Sequence, residues 1–159
     1  MKPVLSLLIA VACSLSSLAL AQTTAQLESQ VLSLINSARA RGVYCRGGGG
    51  GVVRPPLRYD PTLAVAAKSH AVNMGTRGFM SHYFQGVGPR LRVARTGYRY
   101  LRMSEIIFKG GTSSPARAVR WWLNSPVHCR AIMSPYYTEF GSGLSRVGNA
   151  WAVVLAQPR

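Results

Sequence analysis

Acidic side chains are nearly missing from this 159-residue chain. Asp60 is the one aspartate, and Glu28, Glu105 and Glu139 are the three glutamates, against 19 Lys and Arg. So few carboxylates exclude a calcium cage and a two-metal phosphoryl-transfer centre, both of which need several. The sequence also lacks a phosphate-binding loop and a dinucleotide fingerprint, which sets nucleotide enzymes aside. Charged residues make up only 14% of the chain and hydrophobic ones 48%. A chain of this composition offsets its ordering entropy by burial, so it is no disordered polyelectrolyte. Its length suits one domain around a single core.

The N-terminus reads as an address. Lys2 gives a positive start, Val4 to Leu20 is apolar or small almost throughout, and Ala19-Leu20-Ala21 puts small residues where a signal peptidase reads. Residues 1–21 are therefore expected to be a cleaved signal peptide, followed by one domain over 22–159. A membrane anchor is the alternative, for which the apolar run is short. Lipidation at Cys13 is another, with Ala10 standing where a lipobox has Leu. The expected location is secreted, periplasmic or cell envelope, with no transmembrane segment after cleavage.

An even pair, Cys45 and Cys129, then remains. In an oxidising compartment such a pair is most simply a disulfide. It would close a loop of roughly 85 residues and stabilise by about 4 kcal/mol. Two buried thiols, or Cys129 as a nucleophile beside His128, are the weaker readings, because adjacency in sequence does not aim an imidazole at a thiol.

Leu27, Val31, Leu34, Ile35 and Ala38 fall at helical spacing, capped around Thr24 and ended by Gly42. Gly47 to Gly51 is a loop. Asp60-Pro61 is an N-cap followed by a first-turn proline, opening a second helix with Leu63, Ala66, Ala67, His70, Ala71 and Met74 inward. Asp60 is thus spent as a cap, and His70 reads as a hydrogen-bonded core histidine. Gly75 to Gly97 reads as glycine-punctuated loop, and Met103 to Phe108 as a short strand. Ser113 or Ser114 before Pro115 starts a third helix, broken at Ser125-Pro126, with one more turn over His128 to Met133. Phe140 to Val147 and Ala150 to Ala156 read as two strands of a hairpin turning at Gly148-Asn149. Helices followed by a late antiparallel ribbon make an α+β domain.

The polar residues left over are His82, Glu105, His128 and Glu139, each in a separate segment. Two imidazoles and a carboxylate form a zinc-capable set with an open position, provided that folding brings them together.

Several segments, taken in order, resemble one known family. Asn36-Ser37-Ala38-Arg39 and Leu57-Arg58-Tyr59-Asp60 are similar to the opening of a CAP domain, the module of cysteine-rich secretory proteins, venom antigens and plant pathogenesis-related proteins. Ala67, His70, Met74, Phe79 and Ser81-His82 continue the pattern. Gly97-Tyr98, Ser104-Glu105-Ile106-Ile107 and Trp122-Leu123-Asn124-Ser125-Pro126-Val127-His128-Cys129 follow, with Gly141-Ser142-Gly143 and Trp151 at the end. The resemblance covers about Gln26 to Ala156. It implies an α-β-α sandwich, a small antiparallel sheet flanked by helices, with a cleft in which His82, Glu105 and His128 stand. It also implies the Cys45–Cys129 bridge. The family's second cleft glutamate has no counterpart, since Asn124 and Ser125 occupy that stretch. Its Gly-Glu-Asn reads Ser104-Glu105-Ile106 here, which removes an amide from the site, and the usual Gln of the last strand is apolar.

Charge is the other clue. The net charge is +15, or +14 without Lys2, and 16 of the 19 basic residues are arginines, which favour bidentate contacts with phosphate and carboxylate. Arg90, Arg92, Arg95, Arg99 and Arg102, with Tyr98 and Tyr100 between them, form the densest basic stretch and are the expected polyanion-binding residues. Lipid phosphates, lipopolysaccharide and anionic wall polymers are the expected partners, with no fold for specific nucleic-acid recognition. Two functions follow. One is a secreted, non-enzymatic binding protein holding zinc, another divalent cation or an apolar ligand in the His82/Glu105/His128 cleft. The other is a zinc-dependent hydrolase, a peptidase or wall-degrading enzyme, using the same trio. A hydrolase needs a base beyond its ligands, and only the distant Glu139 is left for that role.

Overall fold

A computed structural model describes residues 21–159. The expected signal peptide, apart from Ala21, and Cys13 lie outside the described residues. Helix α1 (Thr24–Arg41) starts at Thr23, whose hydroxyl accepts from Gln26 N–H while the Gln26 side chain accepts from Thr23 N–H, a capping box. It ends at Gly42 in the left-handed conformation, beyond Arg39 and Arg41. Strand β1 (Arg58–Tyr59) leads into Asp60, whose carboxylate accepts from Leu63 N–H at 2.8 Å and caps α2 (Pro61–Arg77).

The stretch expected to be loop from Gly75 is more ordered. Helix α2 continues through Gly75 to Arg77, and a further short helix, α3 (Pro89–Ala94), follows. Gly75 interrupts no hydrogen bonding. It is small because a Cβ there would lie 2.1 Å from Val147 O and 2.3 Å from Ser145 Oγ. Strand β2 (Tyr100–Lys109) is longer than expected, starting at an irregularity between Tyr100 and Arg102. Ser114 caps α4 (Pro115–Asn124), and α5 (Pro126–Ile132) follows directly after Ser125. Strands β3 (Glu139–Ser145) and β4 (Ala150–Pro158) form the expected hairpin through a short 3-10 turn, Val147–Asn149.

The sheet order is β1-β3-β4-β2, with β1 parallel to β3 and the other pairs antiparallel. Side-chain alternation gives it two buried faces. Phe140, Leu144, Trp151, Val153, Leu155, Ile106 and Phe108 face one way and pack with Leu27, Val31 and Ile35 of α1, Trp122 of α4 and Ile132 of α5. Ala150, Ala152, Val154, Ala156 and Ile107 face the other way, against Leu63, Ala67, Ala71 and Met74 of α2 and Val93 of α3. This is an α-β-α sandwich. The α2 side is lined by alanine and by Gly141 and Gly143 because the helix backbone lies almost on the sheet. A Cβ on Gly143 would come within 2.2 Å of Lys68 Cα.

The two sheet edges are finished differently. Beyond β1, the free edge of β3 is closed by charged side chains. Glu28 accepts from Leu144 N–H at 2.8 Å, and Lys68 Nζ donates to Leu144 O at 2.8 Å. The opposite edge is β2, which carries Glu105. The loop after α1 is fixed to α5 by a Cys45–Cys129 disulfide with both sulfur-bearing residues buried. The bridge read from the cysteine pair is therefore present.

Candidate functional site

Glu105 lies on the α2-facing side of β2, directly opposite Val154. Its side chain is only 1% exposed, and a carboxylate buried this deeply is costly unless it is paired and hydrogen-bonded. Arg92 of α3 supplies the pairing. Its Nη2 donates to Oε1 at 2.9 Å and to Oε2 at 2.7 Å. The same guanidinium donates to Val87 O at 2.8 Å and to His82 O at 3.0 Å, so it also fixes the backbone of the loop between α2 and α3. His82 Nδ1 completes the set, donating to Glu105 Oε1 at 2.9 Å.

Arg92 therefore leaves the expected polyanion-binding set. It is 8% exposed and committed to Glu105. Read as sequence it is one of five arginines in an irregular stretch. The available signal was Gly88-Pro89, a helix start, with Val93 beside it as the inward residue. Arg90, Arg95, Arg99 and Arg102 are exposed, and Arg102 stacks over the exposed Tyr136 ring at 4.0 Å. Tyr98 is not free to stack on a ligand. Its hydroxyl donates to Glu139 Oε2 at 2.5 Å, and burial, with that contact, pushes its pKa up. Glu139 also pairs with Arg58 at 3.4 Å. It stands on β3, two strands from Glu105, and is a second, separate ion-pair centre.

His70 is fully buried, and its Nε2 donates to Ser81 O at 2.7 Å, next to His82. Burial, the largest effect, holds its pKa below the ordinary value despite the nearby Glu105 carboxylate. His128 approaches from the other layer, on α5. Its Nδ1 shares a 2.8 Å hydrogen bond with Ser125 Oγ, and its ring lies 5.1 Å from that of the exposed Trp121. Burial first, and then the charge of His82, lowers its pKa. Each imidazole commits Nδ1 to the protein, His82 to Glu105 and His128 to Ser125, and among the described residues no hydrogen-bond partner meets either Nε2.

The three-ligand metal set fits less well. Both Glu105 oxygens are already held, by an arginine cation and by His82. Among the described residues no group of three or more His, Cys, Asp or Glu is placed to hold a metal ion. The arrangement instead matches a histidine oriented by a carboxylate, with two imidazole nitrogens left to meet a ligand. Two residues of the Asn36-Ser37-Ala38-Arg39 motif make long-range contacts, and Arg39, read from the sequence as a positive charge near the C-terminal end of the first helix, is buried instead. Arg39 is 1% exposed and donates to Ile132 O, Ser134 O and Tyr137 O at 2.8 to 3.0 Å, holding the chain that leaves α5. Asn36 bonds both N–H and C=O of Leu57.

The chain belongs to the CAP, or cysteine-rich secretory protein, family, whose model matches residues 32–157. It is 29% identical over 97 residues to the uncharacterized protein YkwD of Bacillus subtilis, covering 60% of this chain and 37% of that protein. Among solved structures it is similar to an outer surface protein of Borrelia burgdorferi, with a TM-score of 0.71 and 21% identity over 87% of this chain and 97% of that one. It is also similar to an extracellular SCP-domain protein of Bacillus anthracis, with a TM-score of 0.70 and 22% identity over 84% and 42% of the two chains. The chain spans about a third to a half of the length of the curated relatives that it matches. The solved structures establish the sandwich fold.

Proposed function

We propose that the protein is an extracellular binding module, without catalysis of its own, whose ligand is received at the cleft between His82 and His128. One observation carries this reading: the buried carboxylate is spent. A metal-dependent hydrolase that spends both imidazoles as ligands needs a further base to take a proton from water, and both oxygens of Glu105 are engaged by Arg92 and His82. Glu139 is engaged by Tyr98 and Arg58. What remains reactive is a pair of imidazole nitrogens beside an exposed Trp121 and Val127.

A divalent cation, zinc first, is the ligand that two imidazoles favour. In this reading His82 and His128 would hold it through Nε2, solvent would complete the shell, and Glu105 would orient His82 rather than ligate. Bound zinc would supply Lewis acidity, with no base in the cleft to exploit it. Extracellular placement is supported by the N-terminal sequence and by relatives described as extracellular or outer-surface proteins. Among the described residues no helix is long and apolar enough to cross a membrane. The excess of arginine would hold the protein to anionic envelope components.

Calorimetric titration of zinc into the oxidised protein at pH 7.5 tests the reading. One-to-one binding that disappears in His82→Ala and in His128→Ala is expected. Zinc affinity left unchanged by both substitutions would remove the imidazoles as ligands. Release of peptide or wall fragments by the wild type but not by His128→Ala would replace the binding module with a hydrolase.

A further inference from the structure

Strand β2 is an edge of the sheet, with one side facing β4 and the other turned outward. In an antiparallel ladder, alternate residues direct both main-chain groups to the same neighbour. Thr138 N–H donates to Ala156 O and Gly110 N–H to Asn149 O, so β4 turns its even residues to β3 and its odd ones to β2. Leu155 and Val153 therefore bond Ser104 and Ile106, which stand opposite them. The main-chain groups of Met103, Glu105 and Ile107 must point away from the sheet. Ile107 O does so and is met by Trp122 Nε1 at 2.8 Å. Among the described residues no hydrogen-bond partner meets the outward N–H or C=O of Met103 or Glu105.

Exposure agrees with this geometry. Glu105 is 8% exposed as a residue but only 1% as a side chain, so its remaining accessible surface is main chain. That surface opens into a groove of about 360 Å³, within the range of ligand clefts. Met103, Ser104 and Glu105 form one wall, and Tyr83, Arg90 and Leu91 stand on the other. An unpaired strand edge is a template for another strand, and proteins ordinarily close it. Here the β3 edge is closed by Glu28 and Lys68, while the β2 edge is left open at Met103 and Glu105.

We propose that this groove receives an extended acidic peptide, which adds to β2 as a fifth strand at Met103 and Glu105. Strand addition takes its affinity from main-chain hydrogen bonds and its selectivity from what flanks the edge. The flanks are cationic: Arg90 lines the groove, and Arg99 and Arg102 are exposed at the start of β2. The one carboxylate at the groove, Glu105, is buried at its side chain and neutralised by Arg92. An acidic segment therefore meets uncompensated positive charge. The inference rests on the reading of the protein as a binding module, and not on its metal.

The test uses a capped, fluorescein-labelled ten-residue peptide of alternating Glu and Val, titrated by anisotropy into the oxidised protein in EDTA. Three companions are a Lys/Val peptide, the Glu/Val peptide N-methylated at alternate residues, and the Met103→Pro protein, which loses an outward N–H along with a side chain packed on the α2-side core and should bind the Glu/Val peptide more weakly. The Glu/Val peptide should bind and slow hydrogen exchange at the Met103 and Glu105 amides. N-methylation should weaken it at least about fivefold, the loss of two hydrogen bonds, and Arg90→Ala with Arg102→Ala should weaken it further. The Lys/Val peptide should not bind. An N-methylated peptide that binds as tightly as its parent, or unchanged exchange at both amides, would overturn strand addition. Tight binding of polyphosphate with no change at those amides would make the arginines a polyanion surface instead. Because EDTA is present, failure here is separate from failure of zinc binding.

Discussion

Arg92 Nη2 touches both oxygens of the Glu105 carboxylate, at 2.9 and 2.7 Å, with the two side chains only 8% and 1% exposed. Removing one member of a buried pair leaves the other as an uncompensated charge, at a cost of about 3–5 kcal/mol. Arg92→Met should lower stability by that amount in urea denaturation. It should also free the loop backbone at His82 and Val87, which Arg92 holds. Arg92→Met combined with Glu105→Gln should recover much of the loss. A double variant no more stable than Arg92→Met would mean that the loop contacts, and not the ion pair, carry the energy.

The Cys45–Cys129 bridge should matter both to stability and to the cleft, since Cys129 follows His128 on α5. Closing a loop of 84 residues' separation stabilises by about 4 kcal/mol in the chain-entropy account. The Cys45→Ala, Cys129→Ala variant should lose about that much in urea, and the wild type should match it under reducing conditions. Zinc affinity should fall in the same variant, because α5 then presents His128 less rigidly. Unchanged affinity would show that the contacts between α4 and α5 are enough to position the histidine.

Local chemistry was readable wherever the signal was local. The Asp60 cap, the stop at Gly42, the hairpin turn and the inward His70 follow from residue types at short spacing and stand as expected, and of the two serines offered as the cap before Pro115 it is Ser114 that serves. The cysteine pair needed only the compartment as context. The errors share one cause, dependence on distant neighbours. Gly75 reads as a loop breaker, yet it is helical, and it is glycine because the β3–β4 turn occupies the space of a Cβ. Arg92 reads as surface because nothing near it in sequence says that a buried carboxylate thirteen positions on will claim it. The pairing of His82 with Glu105 was available only from the family's pattern, because no periodicity relates a loop residue to one on β2.

Acid should weaken the fold through its buried histidines. Burial holds the pKa values of His70 and His128 below the ordinary 6.5, and for His128 the charge of His82 adds to this. The unfolded chain therefore takes up protons first as the pH falls. The stability these residues contribute is complete above about pH 6.5 and is lost between there and their lower folded values. Glu105, Arg92 and His82 are the charged neighbours of His70 and set how steep that loss is. His70→Gln keeps an amide donor for Ser81 O and removes the titration. Its urea midpoint should fall less between pH 7.5 and pH 5.0 than that of the wild type. Equal falls would assign the acid sensitivity to His128, which His128→Gln would then confirm.

Gly143 makes the sharpest test of how α2 meets the sheet. A Cβ built there lies 2.2 Å from Lys68 Cα and 2.4 Å from Lys68 N, atoms of the helix backbone that no rotamer change can move. Overpacking of a core typically costs about 1–3 kcal/mol, and more where backbone must shift. Gly143→Ala should therefore lose at least about 3 kcal/mol, although alanine suits a strand no worse than glycine does. The displacement would pass along α2 to Lys68, which closes the β3 edge at Leu144, and to His70, which anchors the loop bearing His82. Gly143→Ala should accordingly speed hydrogen exchange at Leu144 and weaken zinc binding together. Loss of stability with both left unchanged would mean that the helix rocks about Gly143 instead of translating, and that the cleft is insulated from the packing beneath it.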